Sequence, residues 1–224
     1  MRFFSISHNS HYKIGFPWVI SLISGRTLVP ACKTCRAPQW DIFGGIQVTL
    51  MPRKGKVWPD VLGCGAEPLF IVSGKVLEGW DKEGVGQFPH HCVEIVGKLP
   101  NGMSAAAKPD YYWIDGSKMA GAQLDFKASQ FVGVKFCPAC GTRTDNISAT
   151  YRRQHAKPWG YKFVEGSWGG TNLFTTDLSP CAFFGTELLL ECAAKYKLTN
   201  FRFIPVEEGD GIESKGIDYV KLYR

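Results

Sequence analysis

Two C-x-x-C pairs constrain this chain more than any other feature. Cys32-Lys-Thr-Cys35 and Cys137-Pro-Ala-Cys140 stand 105 positions apart. Two thiols separated by two residues in a tight turn can both reach one metal ion. Two such pairs complete the closed four-thiolate tetrahedron that structural zinc prefers. Gly141 follows the second pair, where the turn needs a residue tolerant of positive φ. Arg36 holds that place in the first pair. If the pairs share one ion, that ion ties an N-terminal segment to the middle of the chain. Four thiolates leave no open position, so a structural Zn2+ held by Cys32, Cys35, Cys137 and Cys140 is expected to stabilise the fold and not to activate water. The plainer reading is four reduced, separate thiols. It is the weaker one, because two C-x-x-C pairs rarely arise together by chance in an intracellular chain. Neither pair opens a helix beside a βαβ unit, which disfavours thioredoxin-like redox chemistry.

The rest of the composition is that of an ordinary globular protein. Of 224 residues, 45% are hydrophobic and 21% charged, enough to build a good core. The 25 glycines and 13% aromatics favour strands and turns over a helical bundle. A net charge of +6 permits nucleic-acid binding without arguing for it. Basic clustering is limited to Arg53-Lys54-Gly55-Lys56 and Arg152-Arg153. The stretch Met1 to His8 is too short and polar for a signal peptide. No apolar run approaches membrane-spanning length, and the longest, Trp18 to Ile23, reads as a buried strand. Eight cysteines without a secretion signal point to reduced thiols in a cytoplasm.

Along the chain, residues 1–30 read as two strands around a turn at His8-Asn9-Ser10-His11. Residues 36–68 read as irregular, with short extended pieces such as Ile46 to Leu50. Ser73 then caps a helix with Val76, Leu77 and Trp80 at helical spacing and Gly84 to stop it. Strands are expected at Cys92 to Val96, Tyr111 to Ile114 and Phe131 to Phe136, the last leading into the second knuckle, with a turn at Asp115-Gly116. Extended pieces are expected around Trp159, Phe163 and Trp168. A second helix is capped by Thr186 and carries Leu189, Leu190, Ala193 and Tyr196 on one face. Strands follow at Phe201 to Val206 and Tyr219 to Leu222.

The two helical regions resemble each other. At a shift of 113, Phe70 meets Phe183, Ser73 meets Thr186, Leu77 meets Leu190, Glu78 meets Glu191, Lys82 meets Lys195, Val85 meets Leu198 and Phe88 meets Phe201. Any two strand–cap–helix–strand units look somewhat alike, but here the apolar face keeps its phase throughout. The expected fold is therefore α+β, strand-rich with two short helices. Residues 1–224 read as a single domain, and the repeat allows two similar halves, about 1–105 and 106–224, joined by a four-cysteine zinc knuckle pair near their axis.

Other motifs carry less. His90-His91-Cys92 can be drawn as a metal cluster, but neighbouring strand residues point to opposite faces. Cys64, Cys92, Cys181 and Cys192 lack knuckle partners, and Cys192, within the second helix, reads as core. No H-E-x-x-H, G-x-S-x-G or phosphate-binding G-x-x-x-x-G-K-[ST] is present, and no pair of carboxylates stands out as catalytic. The expectation is a protein that is not an enzyme. Glu207, Glu208, Asp210 and Glu213 form an acidic run that reads as a solvated loop or as a surface for a basic partner.

Taken together, the knuckles and the segment Phe183 to Val206 resemble the double-CXXCG motif family of bacterial proteins. Cys137-Pro-Ala-Cys140-Gly141 fits its motif in full; Cys32-Lys-Thr-Cys35 fits all but the glycine, which is Arg36. Members of that family are regarded as immunity proteins, which protect a bacterium from a toxin encoded beside them. The resemblance implies that this chain binds and neutralises a cognate toxin protein one-to-one in the cytoplasm, with a structural zinc. The alternative is a zinc-ribbon nucleic-acid-binding protein, which the positive charge and aromatic content allow.

Overall fold

The computed structural model describes residues 1–8, 17–29, 32–36, 39–51, 57–64, 69–119, 121–129, 131, 133–141, 143–144, 160–177 and 179–207. Eleven strands and two α-helices are named among them. In chain order these are β1 (Phe3–His8), β2 (Trp18–Val29), β3 (Gln39–Leu50), β4 (Val61–Cys64), β5 (Ile71–Ser73), α1 (Gly74–Lys82), β6 (His90–Ile95), β7 (Tyr111–Ile114), β8 (Gly121–Ala122), β9 (Leu173–Thr176), β10 (Ser179–Thr186), α2 (Glu187–Lys195) and β11 (Phe201–Pro205). The fold is α+β and strand-rich with two short helices. Among the described residues no helix is long and apolar enough to cross a membrane.

The strands form a closed barrel, β2-β3-β6-β7-β5-β4, and an open sheet, β11-β1-β10-β9-β8. Without β3, the barrel runs β6-β7-β5-β4-β2, and each neighbouring pair has the same sense as its partner in the open sheet. The pairs β6–β7, β7–β5 and β5–β4 are antiparallel, as are β11–β1, β1–β10 and β10–β9. The pair β4–β2 is parallel, as is β9–β8. Registers correspond as well: Cys92 faces Tyr112 as Pro205 faces Phe4, and His90 faces Ile114 as Phe203 faces Ile6. The two helices have nine residues each and the same 113-residue offset. Among the described residues β3 has no counterpart in the open sheet; it pairs with β2 and β6 and closes the barrel.

Chain halves and sheets do not coincide. β1 sits between β10 and β11, and β7 sits between β5 and β6. Each unit therefore holds the other's first strand. This corrects the expected pairing of the first two strands, because β1 and β2 belong to different sheets. The region expected to be irregular contains the twelve-residue β3, and among the described residues of the span 131–136 no strand is formed beyond the isolated bridge of Phe136 to Arg143. The Asp115-Gly116 turn is a short 3-10 segment capped by Asp115, whose side chain accepts from the Ser117 N–H. The turn residues 9–16, both basic clusters, Trp159, Glu208, Asp210, Glu213 and Tyr219 to Leu222 lie outside the described residues.

Alternation along the strands places each side chain. Val61, Val72, Phe4, Ile6 and Leu173 join both helices in the central core, whereas Leu62, Ile71, Tyr111 and Trp113 fill the barrel. Phe174 and Phe184 turn to a third cluster, with Leu124, Phe131 and Tyr161, on the outer side of the open sheet. Where the two units meet, residues touch their own counterparts. Phe70 and Phe183 lie 4.9 Å apart between ring centroids, and Gly79 lies against Cys192. Neither helix is capped by a side-chain acceptor. Ser73 and Thr186 instead donate their hydroxyls to Asp60 and Asn172. The expected helix stop is found at Gly84, with φ 66, and its counterpart Lys197 adopts the same left-handed conformation, with φ 51.

Candidate metal centre

The first knuckle lies at the tip of the β2–β3 hairpin, whose last pairs are Leu28 with Trp40 and Val29 with Gln39. The second lies at the tip of a smaller hairpin, closed by a bridge between Phe136 and Arg143 and by the Thr144 N–H donating to the Lys135 carbonyl at 2.8 Å. Each knuckle turns the same way. The Arg36 N–H donates to the Cys32 carbonyl and the Gly141 N–H to the Cys137 carbonyl, both at 2.8 Å. Gly141 has φ 69 and Arg36 has φ 55, so the arginine adopts the glycine conformation without being glycine. That conformation costs an L-residue about 1–2 kcal/mol. The departure from the C-x-x-C-G pattern is absorbed as local strain, and the turn is preserved.

The two tips bring all four sulfurs within 4.8 Å of one another. Cys32 Sγ lies 3.8 Å from Cys137 Sγ, and Cys35 Sγ lies 3.7 Å from Cys140 Sγ. These separations are far beyond a disulfide bond of about 2.05 Å. They match the edge of a tetrahedral four-thiolate site, which is about 3.8 Å for metal–sulfur bonds of about 2.3 Å. Each cysteine lies beside its own counterpart, so the centre lies where the two units meet. Among the described residues no other group of metal-ligating side chains converges in this way.

The first loop also prepares one ligand electrostatically. Backbone N–H groups of Cys35 and Thr34 point at the Cys32 sulfur and pull its thiol from 9.0 to about 6, against a smaller opposing effect of burial. Cys32 is therefore ready to bind as thiolate at neutral pH. Cys137 is buried, Cys32 and Cys35 are half-buried and Cys140 is exposed, so one edge of the centre reaches solvent. Phe136 packs on Phe126, and Arg143 lies over the Phe131 ring at 5.9 Å, which anchors the second tip to the outer cluster of the open sheet. A metal held here would join the barrel's long hairpin to the other unit.

His90 and His91 do not join this centre. The His90 ring donates through Nδ1 to the Phe88 carbonyl at 2.8 Å. His91 stacks on Trp113 and lies 3.7 Å from Asp115 Oδ2. Cys92 is exposed on the side opposite His91 in the strand alternation, and Cys192 is buried in the central core. Burial pushes the Cys192 thiol up to about 11, with Glu83 adding to the effect. The adaptation of Arg36 was not foreseeable from residue type. Its signal was positional, since Arg36 and Gly141 follow the two pairs at the same step.

No protein-family model matches the chain, and no curated protein matches it.

Proposed function

We propose that this chain is an immunity protein that binds and neutralises a cognate bacterial toxin in the cytoplasm, and that its four-thiolate centre holds one structural Zn2+. The observation that carries this reading is the convergence of Cys32, Cys35, Cys137 and Cys140 from two distant hairpin tips. The resemblance of those knuckles to the double-CXXCG family supplies the biological role. A closed thiolate set suits zinc among the common divalent ions and leaves no position for a substrate. The centre's work is then to fix two units together. A fixed scaffold presents a preorganised surface, which lowers the entropy lost when a partner docks.

The test is a rescue experiment. The candidate toxin domain encoded beside this gene is expressed with and without the protein, and survivors are counted. Survival only with the protein supports immunity. Equal killing with soluble, metal-loaded protein present removes that reading for the pair. Salt-dependent binding of DNA or RNA would then favour the nucleic-acid alternative.

A further inference from the structure

A groove of about 720 Å3, open to solvent, runs beside α1. Its apolar floor is Leu77, Trp80, Phe88 and Tyr112, and its rim carries Glu78 and Asp81. No lysine or arginine among the described residues lines it, although the chain as a whole carries +6. Its acids are lightly engaged. Glu78 lies 3.9 Å from Lys82, with both side chains exposed, and Asp81 accepts from Gln87 at 3.3 Å. Such surface contacts are worth little and can be exchanged for an arriving cation.

The second unit gives an internal comparison. By register and offset, Tyr112, Phe88, His90 and Leu77 correspond to Phe4, Phe201, Phe203 and Leu190. Those four counterparts are 0%, 5%, 2% and 0% exposed. In the first unit Tyr112, Phe88 and Leu77 are only half-buried and His90 is exposed. The residue types change with the exposure: two buried phenylalanines become a tyrosine and a histidine. Aromatic side chains with a polar tip are the ones enriched where a surface is alternately wet and covered by a partner. Trp80 lines the groove as well, which makes its indole a reporter of occupancy. Trp80 is 1% exposed, yet its indole Nε1–H has no acceptor among the described residues. A buried indole N–H ordinarily finds one.

We infer that this groove receives a basic segment of a partner protein, one that seats a large apolar side chain on the Leu77–Trp80–Phe88 floor and sets lysine or arginine against Glu78 and Asp81. The faces of Phe88 and Tyr112, both half-buried, add cation–π attraction to the same charges. That the partner is the toxin rests on the immunity reading above; the groove's chemistry does not.

The test has two arms. In the first, isotope-labelled full-length protein is titrated with a short peptide of lysine and tryptophan, and with a twin in which glutamate replaces lysine. The Trp80 indole signal is assigned with Trp80→Phe. The basic peptide should shift that signal and the acidic twin should not. The double variant Glu78→Lys, Asp81→Lys should weaken binding by about tenfold or more, the effect of losing about 1.4 kcal/mol, with melting temperature and metal content unchanged. An unmoved Trp80 signal at millimolar peptide, or equal binding by the double variant, would overturn the inference. In the second arm the double variant enters the rescue experiment. Rescue by both forms would discard the toxin as the groove's occupant and leave immunity standing. If the unaltered protein does not rescue, the immunity reading falls and the peptide arm alone decides the groove.

Discussion

Tyr196 Oη donates a 2.8 Å hydrogen bond to Glu83 Oε1, and the two residues occupy the same position in the two units, 113 apart. They close the C-terminal ends of α1 and α2. Lys195 Nζ adds 2.7 Å contacts to both Glu83 oxygens. The carboxyl of Glu83 is held below its ordinary value of 4.5, chiefly by the Lys195 hydrogen bond and then by Tyr196. A carboxyl depressed in the folded state favours folding above its unfolded value and loses that advantage as pH falls through the folded one. Lys195 and Tyr196 are both raised, chiefly by Glu83, so their share fades when pH rises through their folded values. The expected outcome is a melting temperature that declines on acidification below about pH 4.5, and a flatter acid limb in Glu83→Gln. Parallel limbs in the two proteins would show that the contact does not contribute.

A second pair of counterparts differs by one atom, for a reason visible in their partners. Asp60 and Asn172 each precede a strand and accept the hydroxyl of a helix-entry residue, Ser73 or Thr186. Their remaining side-chain atoms reach across to the other unit. Asp60 Oδ2 accepts from the Thr199 N–H at 2.7 Å and the Thr199 hydroxyl at 2.9 Å. Asn172 Nδ2 donates to the Val85 carbonyl at 2.9 Å. A carboxylate is needed where the partner donates, and an amide where it accepts. Asp60→Asn can turn its NH2 toward Thr199, where donor would face donor, or turn it away and disrupt the Ser73 contact. Asn172→Asp would set a carboxylate against a carbonyl. Each substitution should cost about 1–3 kcal/mol in urea denaturation.

What the sequence made legible was what repeats locally. Both helices, their entry residues Ser73 and Thr186, the strand Tyr111–Ile114 and the 113-residue offset follow from spacing within short windows. The convergence of the cysteines was legible because two thiols in a knuckle have few other uses. The exchange of β1 and β7 was not. Nothing in Phe3–His8 says which of two similar sheets it will join, since its alternation would suit either. The length of β3 was hidden by the glycines Gly44 and Gly45, which break the apolar pattern, and by register shifts in its pairing with β2. The cap chemistry misled for a related reason. Ser73 and Thr186 stand where a cap should, but their hydroxyls answer to Asp60 and Asn172, which are distant in sequence.

Arg36 and Gly141 allow the knuckle geometry to be tuned. Both have left-handed φ, at 55 and 69, and only glycine adopts it without steric cost. Gly141→Ala should weaken metal binding by about 1 kcal/mol, roughly fivefold in affinity. Arg36→Gly should strengthen it, by less, because added glycine also loosens the unfolded chain. Competition against a chromophoric chelator measures both. Equal affinities for the three proteins would mean that the turns carry no strain into the centre.

Metal removal tests the centre directly. If the four sulfurs hold one ion, the purified protein contains one zinc per chain, and Cys137→Ser, which removes the most buried of the four ligands, contains none. Two ions per chain, one at each pair, would contradict a shared site. Because the ion joins tips 105 residues apart, it should stabilise the whole fold and not a local loop. Binding confined to the folded state adds about 4 kcal/mol at a thousandfold excess of free metal over the dissociation constant. A strong chelator should therefore lower the melting temperature by several degrees in the unaltered protein and leave Cys137→Ser unmoved. Alkylation gives an independent reading. The Cys32 thiol, lowered to about 6 by the N–H groups of Cys35 and Thr34, is a thiolate at neutral pH once the metal is gone. It should react readily with iodoacetamide after chelation and be protected before it, with the site identified by peptide mass. Equal reactivity with and without chelator would place the metal elsewhere.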